Sequence, residues 1–295
     1  MSVNPISASL ITRTSHKLKG RLIWVVEKLL TRLIISSPSP FLNSLVNASK
    51  RDKPFELKSL ISDAVIEIFS NTENSHSDVL KLGQSVGGQI VFGQEGEDIL
   101  LTRVFGNKTN GFFVDVGAHH PTRFSNTYML SLNGWSGINI DANQQSIIQF
   151  ELTRSRDINI CSSIGENDVS RKYFCFAESA LNTFDEEIAQ MYVRNGHKID
   201  RIESLKTTGL GVLLDANVKP GTLIDLLNID VEGLELEVIR SNDWSKYAPV
   251  VVVIEILNVT VEQAIEHEVT KTIQTYGYVL SSKLFNSCIY VKSNA

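Results

Sequence analysis

The sequence predicts an α/β fold: a mostly parallel sheet covered by helices on both faces. Three observations carry this. Val250 to Leu257, VVVVIEIL, is β-branched almost throughout, and Gly111 to Val116 and Leu226 to Ile229 are apolar nearly without a break. Continuous rather than alternating apolar runs mark strands buried on both faces, as in parallel sheets. Each run also ends beside a carboxylate, Asp115, Asp230 or Glu255, and the short strand of GINIDAN ends at Asp141. Open α/β sheets place their ligands at the carboxyl ends of their strands.

Composition narrows the class. The chain has 295 residues, 42% hydrophobic and 21% charged, with a formal net charge of −5. That is ordinary globular material with no overall attraction to nucleic acid. Cys161, Cys175 and Cys288 lack C-x-x-C spacing, which suggests neither a zinc site nor a disulfide framework. Small core residues on strands, in a reducing cytoplasm, are the expectation.

In chain order, residues 1 to about 15 are polar and predict no regular element. Residues 13–35 are locally basic, with Arg13, Lys17, Lys19, Arg21, Lys28 and Arg32 against Glu27. From Leu22 to Ile35 the polar residues share one helical face and Trp24, Leu29, Leu33 and Ile34 another. A membrane span needs ~20 nearly uncharged residues, which Glu27, Lys28 and Arg32 rule out. Two expectations stand for this helix: packing on the rest of the chain or on a second subunit, making a homo-oligomer, or lying on an anionic membrane at its inner face. Ser36 to Phe41 contains two prolines and reads as a linker, and a second amphipathic pattern follows Pro54. Residues 1–90 are therefore expected to form a helical appendage and 91–295 the ligand-binding domain.

That domain opens with Gly93 to Asp98 and a helix carrying Ile99, Leu100, Leu101, Val104 and Phe105; early acids suit the helix dipole. After the first strand, Thr122 to Leu132 predicts a helix capped near Ser125 or Asn126. Ile158 to Ile164 predicts the third strand and Arg171 to Ala177 an added antiparallel one. Glu178 to Glu187 predicts a long polar loop, the kind of segment that carries selectivity. Gln190 to Pro220 predicts only short strands and a helix, and Tyr278 to Ser282 with Cys288 to Lys292 a closing hairpin.

The turn after the first strand offers Gly117 alone, where a pyrophosphate cradle needs G-x-G-x-x-G. A nucleoside without phosphates fits better, and S-adenosylmethionine is such a molecule. Asp141 then falls where the acid ending strand two takes ribose hydroxyls, somewhat beyond the usual ~20 residues. Taken alone, Gly117 is better explained as a glycine that merely makes a tight turn.

FGQEGEDILL, VDVGAHHP, SNT, GW-x-GINID and IDVEG-x-E, spread from Phe92 to Glu235, together resemble the successive motifs of FkbM-type methyltransferases. The resemblance spans about Phe92 to Lys292. It implies a class I (Rossmann-like) fold of seven strands, mostly parallel with the last antiparallel, using S-adenosylmethionine to methylate a hydroxyl on a sugar, glycan or polyketide. It further implies that Gln94 and Glu97 or Asp98 lie over the cofactor. Asn143-Gln144 and Pro121 depart from the family pattern, which often has Asn-Pro and a glycine there.

The expected cofactor site comprises Asp115 and Gly117 on the methionine side, Asp141 at the ribose and Ser163 near adenine, with Ala118, Asn126, Ala142 and Asp230 alongside. For catalysis, Asp230 and Glu232 are the central acids, with His119, His120 and Glu255 as further candidates for a general base. A structural role for either histidine is an equal alternative. Mg²⁺ on the three carboxylates is chemically allowed, although a metal-free site is the expectation. The competing class of function is a non-catalytic nucleotide-fold module acting through its N-terminal helices.

Overall fold

The computed structural model describes residues 91–293. The basic amphipathic helix, the linker and the helix after Pro54 lie outside the described residues. Strands β1 (Phe112–Val116), β2 (Ser136–Asp141), β3 (Ile158–Cys161), β7 (Leu226–Ile229) and β8 (Val251–Glu255) pair in parallel in the order β3-β2-β1-β7-β8. The hairpin β9 (Tyr278–Lys283) and β10 (Ser287–Lys292) completes the seven-stranded sheet, with β10 antiparallel to both of its neighbours. The expected mostly parallel sheet with an antiparallel final strand is therefore present.

Alternation along the strands builds two cores. Val114, Val116, Ile138, Ile140, Leu227, Ile229, Val252 and Ile254 face one, while Phe113, Leu226, Val251 and Val253 face the other beside Trp135 and Leu101. Helices α1 (Glu97–Phe105), α2 (Tyr128–Leu132), α3 (Gln144–Thr153), α5 (Leu210–Asn217), α6 (Glu235–Ser241), α7 (Val261–Glu266) and α8 (Glu268–Thr275) accompany this sheet. The continuous apolar runs arise because neither strand face meets water.

A polar row crosses these strands. Asn159, Asn139, Asp115 and Asn228 are register partners on β3, β2, β1 and β7. Asn139 donates to Asn159 at 2.8 Å and Asn228 donates to Asp115 at 2.9 Å. Arg154, nearly sealed from solvent, donates to Asp157 at 2.8 Å and to Thr127 Oγ1 at 3.0 Å. Thr127 in turn donates to Asp115 at 2.7 Å.

Between β3 and β7 the chain makes a second sheet, ordered β4 (Ser163–Ile164), β6 (Ile199–Thr208), β5 (Ser170–Phe176), with α4 (Glu186–Arg194) between β5 and β6. Several expectations are corrected here. The strand expected over 158–164 breaks at Ser162, and its last two residues pair with β6 instead. The expected loop 178–187 contains a 3₁₀ turn, a backbone bridge from Thr183 to Phe174 and the start of α4. The mixed stretch 190–220 holds the expected helix, α5, but a single ten-residue strand, β6, in place of short strands; half of its residues are exposed, which hid its periodicity. The helix expected over 122–132 is only α2, because the chain turns through Phe124 at φ 57° first. Ser125 and Asn126 do not cap it; both are buried and Asn126 donates to Asn228 at 3.0 Å. Cys175 and Cys288 are buried as expected, but Cys161 is exposed at the end of an outer strand.

Candidate active site

The carboxyl ends of β1, β2 and β7 open into one cleft enclosing about 860 Å³ of empty space, part of it open to solvent. Its walls come from Gln94, the turn Asp115 to His119, Phe124 to Asn126, Asp141 with Ala142, and Ser162 with Ser163. Asn228, Asp230, Val231 and Glu232 close one end, and Tyr173, Ser179, Ala180, Asn182 and Phe184 cross from the second sheet.

Gly117 follows β1 at φ 80°, and a Cβ there would lie 1.6 Å from the carbonyl oxygen of Asp230. The two strand ends thus approach so closely that only glycine fits. Asp141 accepts from His119 N–H at 2.8 Å through one oxygen and from Asn143 N–H at 2.7 Å through the other. Burial pushes its carboxyl up to about 6, against these two hydrogen bonds. Asp115 is also pushed up by burial, which its bonds from Thr127 and Asn228 oppose. Asn126 Oδ1, at the cleft wall, is buried and has no hydrogen-bond partner among the described residues.

Asp230, Glu232 and Glu255 each bring one carboxylate oxygen to within 4.8 Å of the others. Burial raises all three, followed by mutual repulsion: Glu232 and Glu255 reach about 8, and Asp230 rises well above the usual range. At neutral pH such a group holds protons that isolated carboxyls would have lost. Among the described residues this is the group whose donors could also hold a hard divalent cation.

Other expected residues fall elsewhere. Glu97 does not line the cleft; its carboxylate accepts from Ser287 Oγ at 2.7 Å and from Glu95 N–H at 2.9 Å, tying α1 to β10. Asp98 likewise does not line the cleft; it accepts from Phe92 N–H at 2.8 Å and from Ile99 N–H at 3.0 Å. His120 Nδ1 accepts from the N–H groups of Thr122 and Arg123 at 3.1 and 3.0 Å, so one ring nitrogen fastens the turn. The ring lines a neighbouring cavity with Asn143, Gln149 and Arg201, not the acid cleft. His119 lines both, but burial and the nearby Arg123 cation lower it to about 4, and Arg123 Nη2 sits 3.2 Å from its Nε2. The individual residues not anticipated are Asn228, Thr183 and Tyr192, whereas the strap from Ser179 to Phe184 falls within the polar loop expected to carry selectivity. The repeated Asn-Ile-Asp of β2 and β7 was a signal for Asn228; the others are tertiary neighbours with no local pattern.

A sheet ordered β3-β2-β1-β7-β8-β10-β9 with an antiparallel β10, bearing acids and a tight glycine turn at its carboxyl edge, defines a class I methyltransferase domain. The chain belongs to the FkbM methyltransferase family, whose domain model, Methyltransferase FkbM domain, matches residues 115–280. No curated protein gives a match. Among solved structures, the chain is similar to one from Klebsiella pneumoniae provisionally titled an O-methyltransferase, at 11% identity over 80% of this chain and 96% of that one, TM-score 0.32. It is similar also to the O-methyltransferase from Bacillus cereus in complex with SAH, at 12% identity over 79% and 97%, TM-score 0.31. Among the described residues no helix is long and apolar enough to cross a membrane.

Proposed function

We propose that this protein transfers the methyl group of S-adenosylmethionine to a hydroxyl oxygen, with a sugar or glycan as the acceptor. The observation that carries the reading is convergence: Asp141, the orphaned Asn126 Oδ1, Asp230 and Glu232 meet in one cleft around the Gly117 turn, with Glu255 joining the last two acids. These residues fit the cofactor. Asp141, already oriented by two backbone N–H groups, keeps lone pairs for ribose hydroxyls, and Asn126 Oδ1 lacks the donor that an α-ammonium would provide. Asp115 is held for the same methionine side by Thr127 and Asn228, and Ser163 lies towards adenine.

When bound, S-adenosylmethionine supplies a methyl group on a positively charged sulfur. The protein's part is positioning and proton removal, and positioning of two reactants can account for much of the barrier. A carboxylate raised to about 8, such as Glu232, is a stronger base at working pH than an ordinary one, so it suits removal of a hydroxyl proton. The neighbouring acids, protonated near neutrality, orient acceptor hydroxyls through hydrogen bonds. His119, lowered to about 4 and facing Arg123, is a poor base and serves instead to hold Asp141 through its N–H.

The test is calorimetric titration with S-adenosylmethionine and NAD, followed by a labelled-methyl assay over sugar, glycan, polyketide and amine acceptors. Binding of S-adenosylmethionine but not NAD, with label on a sugar hydroxyl, supports the reading. Absence of S-adenosylmethionine binding refutes it, and label on nitrogen refutes the choice of oxygen.

A further inference from the structure

We infer that Thr183 and Tyr192, both on the excursion that forms the second sheet, are positioning residues that hold Glu232 in its working orientation. This inference rests on the proposed methyl transfer and assigns a task to a part of the chain that the reaction alone leaves unexplained.

The turn after β7 is strained and gripped from two sides. Glu232 has φ 51° and Gly233 φ 115°, so a residue with a full side chain occupies the left-handed region, a conformation that persists only where its surroundings enforce it. On one side lies Gly117 against the Asp230 carbonyl. On the other is Thr183, fully buried, whose Oγ1 donates to the carbonyl oxygen of Glu232 at 2.6 Å and accepts from Asp185 N–H at 2.9 Å. That second bond fixes which way the hydroxyl proton points. Thr183 is itself anchored by paired backbone hydrogen bonds with Phe174 on β5. Asp185 follows closely enough that a Cβ on Gly233 would come within 2.7 Å of the Asp185 Cβ.

The carboxylate has its own support. Tyr192 on α4 donates to Glu232 Oε2 at 3.4 Å, and its ring stands edge-on to Phe176 at 5.7 Å. The charged and titratable groups facing Glu232 are Asp230 and Glu235 from its own turn, Glu255 from β8, and Tyr192 and Asp185 from the second-sheet excursion. Burial raises it first and the Asp230 and Glu235 carboxyls add to that, while the Tyr192 hydroxyl favours its ionised form. Tyr192 is thus the neighbour that keeps Glu232 able to accept a proton near neutrality, and Thr183 holds the backbone from which that carboxylate projects.

The experiment uses the full chain with Thr183→Val, Thr183→Ser and Tyr192→Phe. Valine keeps the volume and backbone bridge but loses the hydroxyl, while serine restores it. Loss of one hydrogen bond that matters in the transition state costs roughly tenfold in rate. Thr183→Val should lower kcat by about that factor while S-adenosylmethionine affinity stays within about twofold, and Thr183→Ser should recover most of it. Tyr192→Phe should move the midpoint of the kcat–pH profile upward. A second readout does not need turnover: the pH dependence of thermal stability of Tyr192→Phe should show the same upward displacement of the Glu232 titration. That stability measurement separates failure here from failure of the proposed reaction, since it applies even if no acceptor is methylated. Unchanged kcat in Thr183→Val, no recovery with serine, or an unmoved titration in Tyr192→Phe would overturn the assignment. Should Thr183→Val not fold, the Tyr192→Phe titration decides alone.

Discussion

Replacing Glu255 with glutamine should make the protein more resistant to unfolding in alkaline solution while changing little in mild acid. The folded carboxyl is raised from 4.5 to about 8, by burial first and repulsion from Glu232 next. A group raised in this way contributes stability that is fully present below its unfolded value and lost as pH climbs through the folded one. Across that window, at about 1.36 kcal/mol per unit, the loss has a ceiling of about 5 kcal/mol. Glu255 shares a hydrogen bond with Asp230 and retains some contact with water, so about 1 to 2 kcal/mol is the expected part. Glutamine cannot ionise, and its Oε1 can still accept from the protonated Asp230, so it escapes the loss. For a domain of this size the gain corresponds to a Tm increase of roughly 2 to 8 °C. The assay is thermal unfolding followed by circular dichroism at about pH 4 and about pH 8.5, a span that covers the window. Equal shifts at both pH values, or a lower Tm for the variant at the higher pH, would refute the account of the acid group.

Other outcomes follow from the same geometry. Asp141→Ala should weaken S-adenosylmethionine binding by well over about tenfold in calorimetry, as expected for loss of a charge-assisted acceptor. Parent affinity should also fall as pH drops through about 6, where Asp141 takes up a proton; a flat profile argues against the ribose role. Asp230→Asn should suppress turnover yet leave cofactor affinity largely intact, and a fully active variant would remove Asp230 from the chemistry. Arg154→Met strips a buried partner from Asp157, at a cost of about 3 to 5 kcal/mol, visible as an early urea midpoint. Chelation with EDTA should leave kcat unchanged; activity lost and restored by Mg²⁺ would reassign Asp230, Glu232 and Glu255 as metal ligands.

Much of the central sheet was legible because its signal is local. Val251 to Glu255 and Phe112 to Val116 are buried on both faces, so the apolar run itself encodes the strand. The acids at strand ends were legible because a parallel sheet gathers carboxyl ends on one edge whatever the loops do. The second sheet was not legible. Half of β6 is exposed and only one of its residues is buried, and the chain changes sheets at Ser162, between four-residue β3 and two-residue β4, with no proline or glycine there to announce it. Within the candidate site, Asp141 and Asp230 stood at the ends of apolar runs, whereas Tyr192 reaches Glu232 across forty residues of sequence. Glu97 was misplaced for a related reason: an acid at a helix start looks the same whether it faces a ligand or, as here, the Ser287 hydroxyl.

The line of Asn159, Asn139, Asp115 and Asn228 has a consequence for how the molecule assembles. Sliding any of these strands by one position would strand an amide against hydrocarbon, so alignment is enforced by the penalty for an unmated polar group as well as by the fit of neighbours. The four members come from chain segments spread between residues 112 and 229, and Asp115 and Asn228 are satisfied only when segments about a hundred residues apart meet. Such long-range closure is slow, and it makes the sheet an all-or-none object. A fragment ending before Asn228 would leave Asp115 without one of its donors and should collapse loosely rather than fold.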